Sequence, residues 1–387
     1  MPYLMKQICI FCSSFLNPHS GQLLIGGVQT YISSLCLLGK EKGYSVTVFQ
    51  LESNTDANYV YNDARVIICQ VTRAQTQKYF DKIYKQYNSL ETIFIVITDQ
   101  MSISSKSANV ITIQHGIAFD IPGEYISGLW GKNKLMHHIN KLLRCIKNVT
   151  RFYKSANTVC VDYNFYNWFR TIGTIYPNKK VKVIPNYSSS WITEEELASK
   201  FSNKSSIKRI LFARRFYDYR GTILFSNVVD RLLNKYSNIE VTFAGSGPLE
   251  NYIKQKFSSQ ECVKISSFNA NDSISYHKQY DIAVVPTIFS EGTSLSLIEA
   301  MSAGCFPIAT HVGGMTNIVL DGYNGILCSP DEDSLYRSMV KVLEMEEQEF
   351  NSIVENAYHS SVKAFSFDIW KQKWSEFIDE ITSSVII

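Results

Sequence analysis

Short apolar runs of four to six residues alternate with helix-length segments along the whole chain. The early runs are QICIFC (7–12), SVTVFQ (45–50), TIFIVI (92–97), NVITIQ (109–114) and TVCVD (158–162). The later ones are RILFA (209–213), EVTFAG (240–245), DIAVVP (281–286), CFPIAT (305–310) and GILC (325–328). Most are apolar throughout rather than alternating, the mark of strands covered on both faces. Such strands separated by helices predict parallel α/β sheets. About ten strands would fill two sheets of about five to six each. The tail FSFDIWKQKWSEFIDEI (365–381) places Phe367, Trp370, Trp374, Phe377, Ile378 and Ile381 near one helical face, so a terminal amphipathic helix needs a surface to pack on.

A length of 387 residues exceeds one ordinary core and predicts two domains. With 45% hydrophobic and 19% charged residues, the composition excludes a disordered chain. Charge sharpens the division. Residues 1–186 carry 20 Lys/Arg and 10 Asp/Glu, whereas residues 187–387 carry 18 and 25. A basic half joined to an acidic half implies different partners, the basic one facing phosphates or an anionic membrane. The Ser/Asn-rich stretch 183–206 marks the seam. Nine scattered cysteines, with Cys9 and Cys12 inside an apolar run, read as reduced, buried thiols of a cytosolic protein rather than a metal or redox site. The start MPYLMKQICIFCSSF lacks a small-residue cleavage site and reads as a first strand. No run of about 18 apolar residues occurs, so no segment is expected to span a membrane.

The stretch FSEGTSLSLIEAMSAG (289–304) holds two glutamates eight positions apart. DIAVVPT should be a strand, IFSEGT the loop at its carboxyl end, and SLSLIEAMSAG a helix with Ser294 as N-cap and Gly304 as its stop. Ligands of open α/β sheets bind at that end of the strands, and a helix N-terminus suits phosphate. Gly292 lets the backbone approach closely. Glu291 projects from the loop. Glu299 lies about one and a half turns into the helix with its side chain tilted back, where it could accept hydrogen bonds from a ribose diol. Taken alone, the pair is equally satisfied by a loop charge and a surface helix residue.

This stretch resembles the E-x7-E motif of retaining glycosyltransferases of family 4, and the resemblance continues through CFPIATHVGGMTNIVLDGYNGILCSPDEDSL (305–335). GGVQTYISSLCLLGKEKGYSVTVF (26–49), QHGIAFD (114–120), VIPN (183–186), ARRFYDYRG (213–221) and FAGSGPLEN (243–251) resemble further family marks, in the family's order. The resemblance implies the GT-B architecture: two Rossmann-like parallel-sheet domains facing across a cleft. Residues 1–186 would bind the acceptor and 187–365 the nucleotide sugar, with the helix 366–387 packing back on the first domain. Two departures stand out. Arg220 replaces the family's usual lysine, keeping charge but bringing a planar fork. Met315-Thr316-Asn317 follows Gly313-Gly314 where an acidic residue is usual, so that position is left out of the site.

The resemblance implies roles residue by residue. Glu291 orients sugar hydroxyls, Glu299 holds the ribose, and His115 contacts the sugar near the reacting carbon. Arg215 and Arg220 stabilise the leaving diphosphate, with Gly292, Thr293 and Ser294 lining the donor. Arg214 is expected to point the other way along the strand end. Gly26-Gly27 allows close approach of a phosphate or acceptor, although a tight turn explains it too. Gly245-Ser246-Gly247 reads as a turn near the nucleotide, since Glu250 stands where a dinucleotide fingerprint needs glycine. Asp331-Glu332-Asp333 mimics a D-x-D metal motif but precedes a helix, which capping explains better.

KLMHHINKLLRCIKNVTRFYK (134–154) is amphipathic. Leu135, Ile139, Leu142, Leu143, Ile146, Val149 and Tyr153 share one side, and Lys134, Lys141, Arg144, Lys147, Arg151 and Lys154 the other. No acid occurs between Glu124 and Asp162. The helix could pack on its own sheet with a solvated basic face, and the basic face could also dock on anionic lipid. The preceding DIPGEYISGLWG (120–131) is Gly- and aromatic-rich, as acceptor loops often are.

The expectation is a retaining, metal-independent glycosyltransferase without a cofactor. It would move a sugar from a nucleotide-diphosphate donor to a saccharide or polyprenyl-diphosphate-linked acceptor in cell-surface polysaccharide synthesis, such as O-antigen or capsule. It would work in the cytoplasm, peripheral on the inner face of the plasma membrane, with no nucleic-acid partner. A nucleotide-sugar epimerase of the same architecture and a non-catalytic, membrane-docked sugar-binding subunit are the alternatives.

Overall fold

The structure is a computed structural model that describes residues 6–24, 26–98, 101, 103–117, 134–172, 180–202, 205–289 and 291–386. The acceptor-loop candidate 120–131 and the Lys134 side chain lie outside what it describes. The chain forms two compact units. The first is built from the described parts of Met1–His115, Lys132–Ile184 and Lys371–Ile387. The second holds Pro185–Trp370 together with Gly116 and Ile117.

The first unit contains an eight-stranded sheet in the order β3-β4-β2-β1-β5-β6-β7-β8. Its strands are β1 Gln7–Cys12, β2 Ser45–Gln50, β3 Ala57–Tyr61, β4 Ala64–Ile68, β5 Thr92–Val96, β6 Val110–Gln114, β7 Asn157–Cys160 and β8 Lys180–Val183. All neighbours are parallel except β3 and β4. β5, β6 and β7 are buried along their whole length, which is why their sequences are mostly apolar and carry no charged residue. The helices include α1 Gly27–Glu41, α2 Thr76–Tyr87, α3 Lys134–Lys154 and α4 Tyr163–Ile172.

The second unit contains a six-stranded, fully parallel sheet in the order β11-β10-β9-β12-β13-β14. Its strands are β9 Lys208–Ala213, β10 Ile239–Ala244, β11 Val263–Ser266, β12 Ile282–Val285, β13 Phe306–Thr310 and β14 Ile326–Cys328. Helices α5 Glu194–Ser202, α6 Thr222–Leu233, α7 Glu250–Lys256, α8 Ser273–His277, α9 Leu295–Ser302, α10 Glu332–Leu343 and α11 Glu347–Ala364 alternate with or follow them. Phe212, Phe225 and Phe243 from β9, α6 and β10 meet at the centre of the core. The chain runs outward from β9 to β11, then returns to lay β12 on the other side of β9. That reversal opens a crevice at the carboxyl ends of β9 and β12.

All ten apolar runs are strands. The sheets hold eight and six strands rather than five to six each, because β3, β4, β8 and β11 escape the pattern. β3 (ANYVY) alternates half-buried and exposed positions at a sheet edge, and β8 (KVKV) is half polar.

Helix α12, Phe367–Ile386, follows. In the second unit Phe367 and Trp370 pack on Tyr187, with ring centroids 4.9 and 5.0 Å away. In the first unit Trp374 donates its indole N–H to the Tyr31 hydroxyl at 2.8 Å, and Phe377, Ile378 and Ile381 are buried. Lys42 pairs with Asp379 at 2.8 Å, and Lys182 with Glu380 at 3.0 Å.

Helix α3 corrects two expectations. Its apolar side is not packed away: Leu135 is 67% exposed and Leu142 60%, with Ile139, Leu143, Ile146 and Tyr153 also exposed. Arg151, grouped with the outward basic residues, is buried beside the buried Phe152, because the last turn rotates that position against the domain. Lys141, Lys147 and Lys154 are exposed and Arg144 is half-buried.

Candidate active site

The carboxyl ends of β9 and β12 are stitched together by backbone contacts. Arg214 N–H still donates to the Ala244 carbonyl at 3.0 Å, so the β9 ladder runs one residue past the strand. The chain then turns through Asp218–Arg220 to Gly221, whose φ of 84° suits glycine and whose added Cβ would overlap the Pro286 carbonyl just after β12. The Tyr219 carbonyl accepts the Ile288 amide at 3.0 Å, tying the arginine turn to the glutamate loop. On the other side, Gly314 N–H donates to the Glu291 carbonyl at 3.1 Å, and Gly313, at φ 55°, has no room for a Cβ against the same carbonyl.

This frame delivers three charges to one point. Glu291 Oε2 accepts hydrogen bonds from Arg214 Nη2, Arg220 Nη1 and, at 3.1 Å, Thr287 Oγ1. The side chains of Arg214, Glu291 and Arg220 are 7%, 10% and 18% exposed. Burial works to raise the Glu291 pKa, but the Arg214 and Arg220 guanidiniums outweigh it and hold the carboxyl below the usual range. Two cations share one anion, leaving an excess positive charge. Arg214 Nη1 is also buried and has no hydrogen-bond partner among the described residues. Helix α9 starts within four residues of Glu291. Ser294 occupies the N-cap position with an extended backbone, but its hydroxyl does not cap the helix and lies 3.3 Å from Ser296 Oγ instead. Asn186 Nδ2 donates to the Thr293 carbonyl at 2.7 Å, and the Thr293 and Ser294 side chains are buried. A buried cationic surplus beside uncapped helix amides is chemically suited to an anion.

The structure brings Arg220 and Glu291 together but leaves Arg215 outside the cluster. Arg215 is exposed, with its guanidinium 5.7 Å from the Tyr217 ring centre. Arg214, expected to point away, is the second arginine on Glu291. The reason is strand parity: Phe212 and Phe216 enter the core, and Arg214 between them shares their face, while Arg215 takes the opposite one. Period-two counting from the two phenylalanines was the signal that would have found it. Gly245, at φ 153°, would place a Cβ on the Arg214 carbonyl, so it serves the Arg214 backbone. Gly292 sits between Glu291 and Thr293 in the loop.

Glu299 lies on α9, partly buried. Burial raises its pKa and Ser273 opposes that rise. Thr287 and Ser273 carried no sequence signal. Asp331-Glu332-Asp333 opens α10: Asp331 Oδ1 caps the helix by accepting Ser334 N–H at 2.8 Å, and Glu332 and Asp333 pair with Arg231 at 3.2 and 2.9 Å. Among the described residues no three or more His, Cys, Asp or Glu side chains are grouped as metal ligands.

In the first unit, Gly27 begins α1, and Gln29 Nε2 donates to the Ser14 carbonyl at 3.1 Å, ordering the loop after β1. His115 ends β6. Its Nε2–H donates to the Ile97 carbonyl at 2.8 Å, and the Tyr31 ring meets it edge-on at 5.6 Å. Burial pushes its pKa down to about 4, against that hydrogen bond, so the imidazole is neutral at pH 7.

Residues 207–345 match the family described as glycosyl transferases group 1. An uncharacterized glycosyltransferase of Methanocaldococcus jannaschii is 28% identical over 206 residues, covering 50% of this chain and 52% of that protein. The lipopolysaccharide 1,2-N-acetylglucosaminetransferase of Salmonella typhimurium is 23% identical over 219 residues, covering 52% and 56%. The chain thus spans about half the length of these curated relatives. Among solved structures, HepE of Anabaena in complex with UDP superposes with a TM-score of 0.67 at 16% identity, covering 97% of this chain and all of that one. The chain therefore has the GT-B fold, and within its second unit residues 207–345 are similar to the glycosyl transferases group 1 family.

Proposed function

We propose that this chain is a retaining glycosyltransferase that moves a sugar from a nucleotide-diphosphate donor to a saccharide or polyprenyl-diphosphate-linked acceptor during cell-surface polysaccharide synthesis. The observation that carries the reading is the buried Arg214–Glu291–Arg220 cluster beside the start of α9. As the bond between the sugar's anomeric carbon and the diphosphate oxygen breaks, negative charge grows on the diphosphate. Arg214 and Arg220 stabilise it, supplying the charge that a divalent metal provides elsewhere. The acceptor oxygen bonds to the anomeric carbon on the face the diphosphate leaves, and the acceptor's proton passes to the departing diphosphate oxygen. Glu291 accepts hydrogen bonds from the sugar hydroxyls once the diphosphate engages the arginines. Glu299 accepts the ribose diol. The UDP in the HepE complex supports a nucleotide donor, and the lipopolysaccharide transferase supports a surface-glycan acceptor.

The acceptor's setting follows from α3. Its exposed leucines and isoleucines beside Lys141, Lys147 and Lys154 suit the interface of an anionic bilayer, with about 1 kcal/mol per basic residue near the surface. The enzyme then works as a peripheral protein on the inner membrane face. Arg151, being buried, takes no part.

A thermal-shift screen of the intact chain against UDP, GDP, ADP and their sugars tests the reading, because a ligand bound only by the folded state raises its melting temperature. A concentration-dependent rise that is lost in Arg220→Met is the expected outcome. No rise with any of these nucleotides would overturn it.

A further inference from the structure

Glu291 is not held by the two arginines alone. The three hydrogen bonds that its carboxylate accepts all fall on one oxygen: Arg214 Nη2, Arg220 Nη1 and Thr287 Oγ1 donate to Oε2, the last at 3.1 Å. Among the described residues none donates to Oε1, and that oxygen is not sealed from solvent. One oxygen therefore faces the protein and the other is left for a ligand. The backbone of the same residue is pinned as well, since its carbonyl accepts Gly314 N–H at 3.1 Å.

Thr287 is itself held. It lies just past the end of β12, and its carbonyl accepts the hydroxyl of Thr310, the last residue of the neighbouring β13. Both threonines are fully buried. The two hydroxyls thus form one line from the end of β13, across the end of β12, to the Glu291 carboxylate. An arriving anion acts differently on the three donors at Oε2. A guanidinium is a cation with several N–H groups, and a diphosphate draws it away from a carboxylate. The Thr287 hydroxyl is neutral and buried at a strand end, so it has no route to the ligand and stays on Oε2.

We propose that Thr287, fixed by Thr310, is a positioning residue that keeps the Glu291 carboxylate aimed once the donor's diphosphate has engaged Arg214 and Arg220, so that Oε1 meets the sugar. This rests on the reading of Glu291 as the sugar ligand. The last torsion of a glutamate is broad, with no sharp staggered wells of its own. With the backbone pinned, one bond to Oε2 is what restrains that torsion, and without it Oε1 loses its direction. A nucleoside diphosphate that carries no sugar does not use Oε1. Loss of the Thr287 hydroxyl therefore harms recognition of the sugar half of the donor and spares the diphosphate half.

The test is calorimetric titration of the intact chain with UDP and UDP-glucose, with the ADP/ADP-glucose and GDP/GDP-mannose pairs in parallel. The readout is the Kd of the sugar nucleotide divided by that of its diphosphate. Thr287→Val should leave the diphosphate unchanged and raise this ratio about tenfold, the scale of one hydrogen bond to a charged group. Thr287→Ser keeps the hydroxyl and should return the ratio to the wild-type value. Thr310→Val, one hydrogen bond further back, should raise the ratio by a smaller factor, and it carries the test if Thr287→Val does not fold. The double variant Thr287→Val/Glu291→Gln should show the ratio of Glu291→Gln alone. Equal weakening of sugar nucleotide and diphosphate by Thr287→Val would mark a general structural role and overturn the proposal. So would a wild-type ratio in Thr287→Val while Glu291→Gln raises it. If Glu291→Gln itself leaves the ratio at the wild-type value, the sugar assignment of Glu291 falls as well, and the two failures are thereby told apart. Binding of none of the six nucleotides would overturn the nucleotide-donor reading and this inference with it.

Discussion

Arg214 and Glu291 lie 77 positions apart and form a buried ion pair where β9 and β12 end side by side. The pair exists because the sheet reverses its strand order there, bringing two loops from distant parts of the sequence to one crevice.

Arginine identity is the first consequence. Arg214→Met and Arg220→Met should each lower kcat/KM for the donor about 100-fold, the scale of removing one charge-stabilising donor. Arg215→Met should stay within about twofold, because it removes an exposed charge outside the cluster. Initial rates of donor consumption for the three variants decide this. A large loss in Arg215→Met with none in Arg214→Met would reverse the assignment.

Acid stability follows from the two glutamates with opposite signs. Glu291 is held below its unfolded value, so its stabilisation is fully present above about pH 4.3 and is lost as pH falls through the folded value. Glu299 is raised by burial, so its charge costs stability above its folded pKa, and the cost vanishes as it protonates. Urea midpoints from pH 7 to 3 should fall less steeply in Glu291→Gln than in wild type. Glu299→Gln should raise the midpoint at pH 7.

The terminal helix is anchored by Trp374 and Tyr31. Tyr31→Phe leaves the buried indole N–H without its hydroxyl partner and should cost about 1–3 kcal/mol in chemical unfolding. Trp374→Ala empties a fully buried site and should cost about 3–5 kcal/mol. Near-equal midpoints for wild type and Trp374→Ala would show that the helix contributes little to the first unit.

Membrane docking through α3 is checked by vesicle sedimentation. The chain should bind phosphatidylglycerol-containing vesicles, weakly at high salt, and bind phosphatidylcholine vesicles poorly. Leu142→Asp/Ile146→Asp should abolish binding while leaving donor hydrolysis unchanged. Equal binding to neutral and anionic vesicles would remove charge from the account.

Metal independence is checked with chelator. Activity should survive excess EDTA if, as proposed, guanidiniums serve the leaving diphosphate. Inhibition restored by Mg²⁺ or Mn²⁺ would reject that part of the reading.

The ten apolar runs were legible because strands covered on both faces carry few polar positions to break them. β3 and β8 were not, since exposed edge strands mix polar and apolar residues as loops do. Glu291 and Glu299 stood out by their spacing, and Arg220 through the resemblance of ARRFYDYRG to a family loop. Arg214 was not legible: the resemblance marks Arg215, which puts its neighbour Arg214 on the opposite face, whereas Phe212 and Phe216 set the face that Arg214 shares.

The sequence by itself determined two α/β units, their parallel strands and a glutamate-bearing helix start. Each of these follows from local periodicity and turn chemistry, which one stretch of chain contains in full. Only the tertiary structure decided which arginine meets Glu291 and that the apolar side of α3 remains open. Those depend on where separate elements come to rest, and a side chain's neighbours across 77 residues are set by strand order and packing.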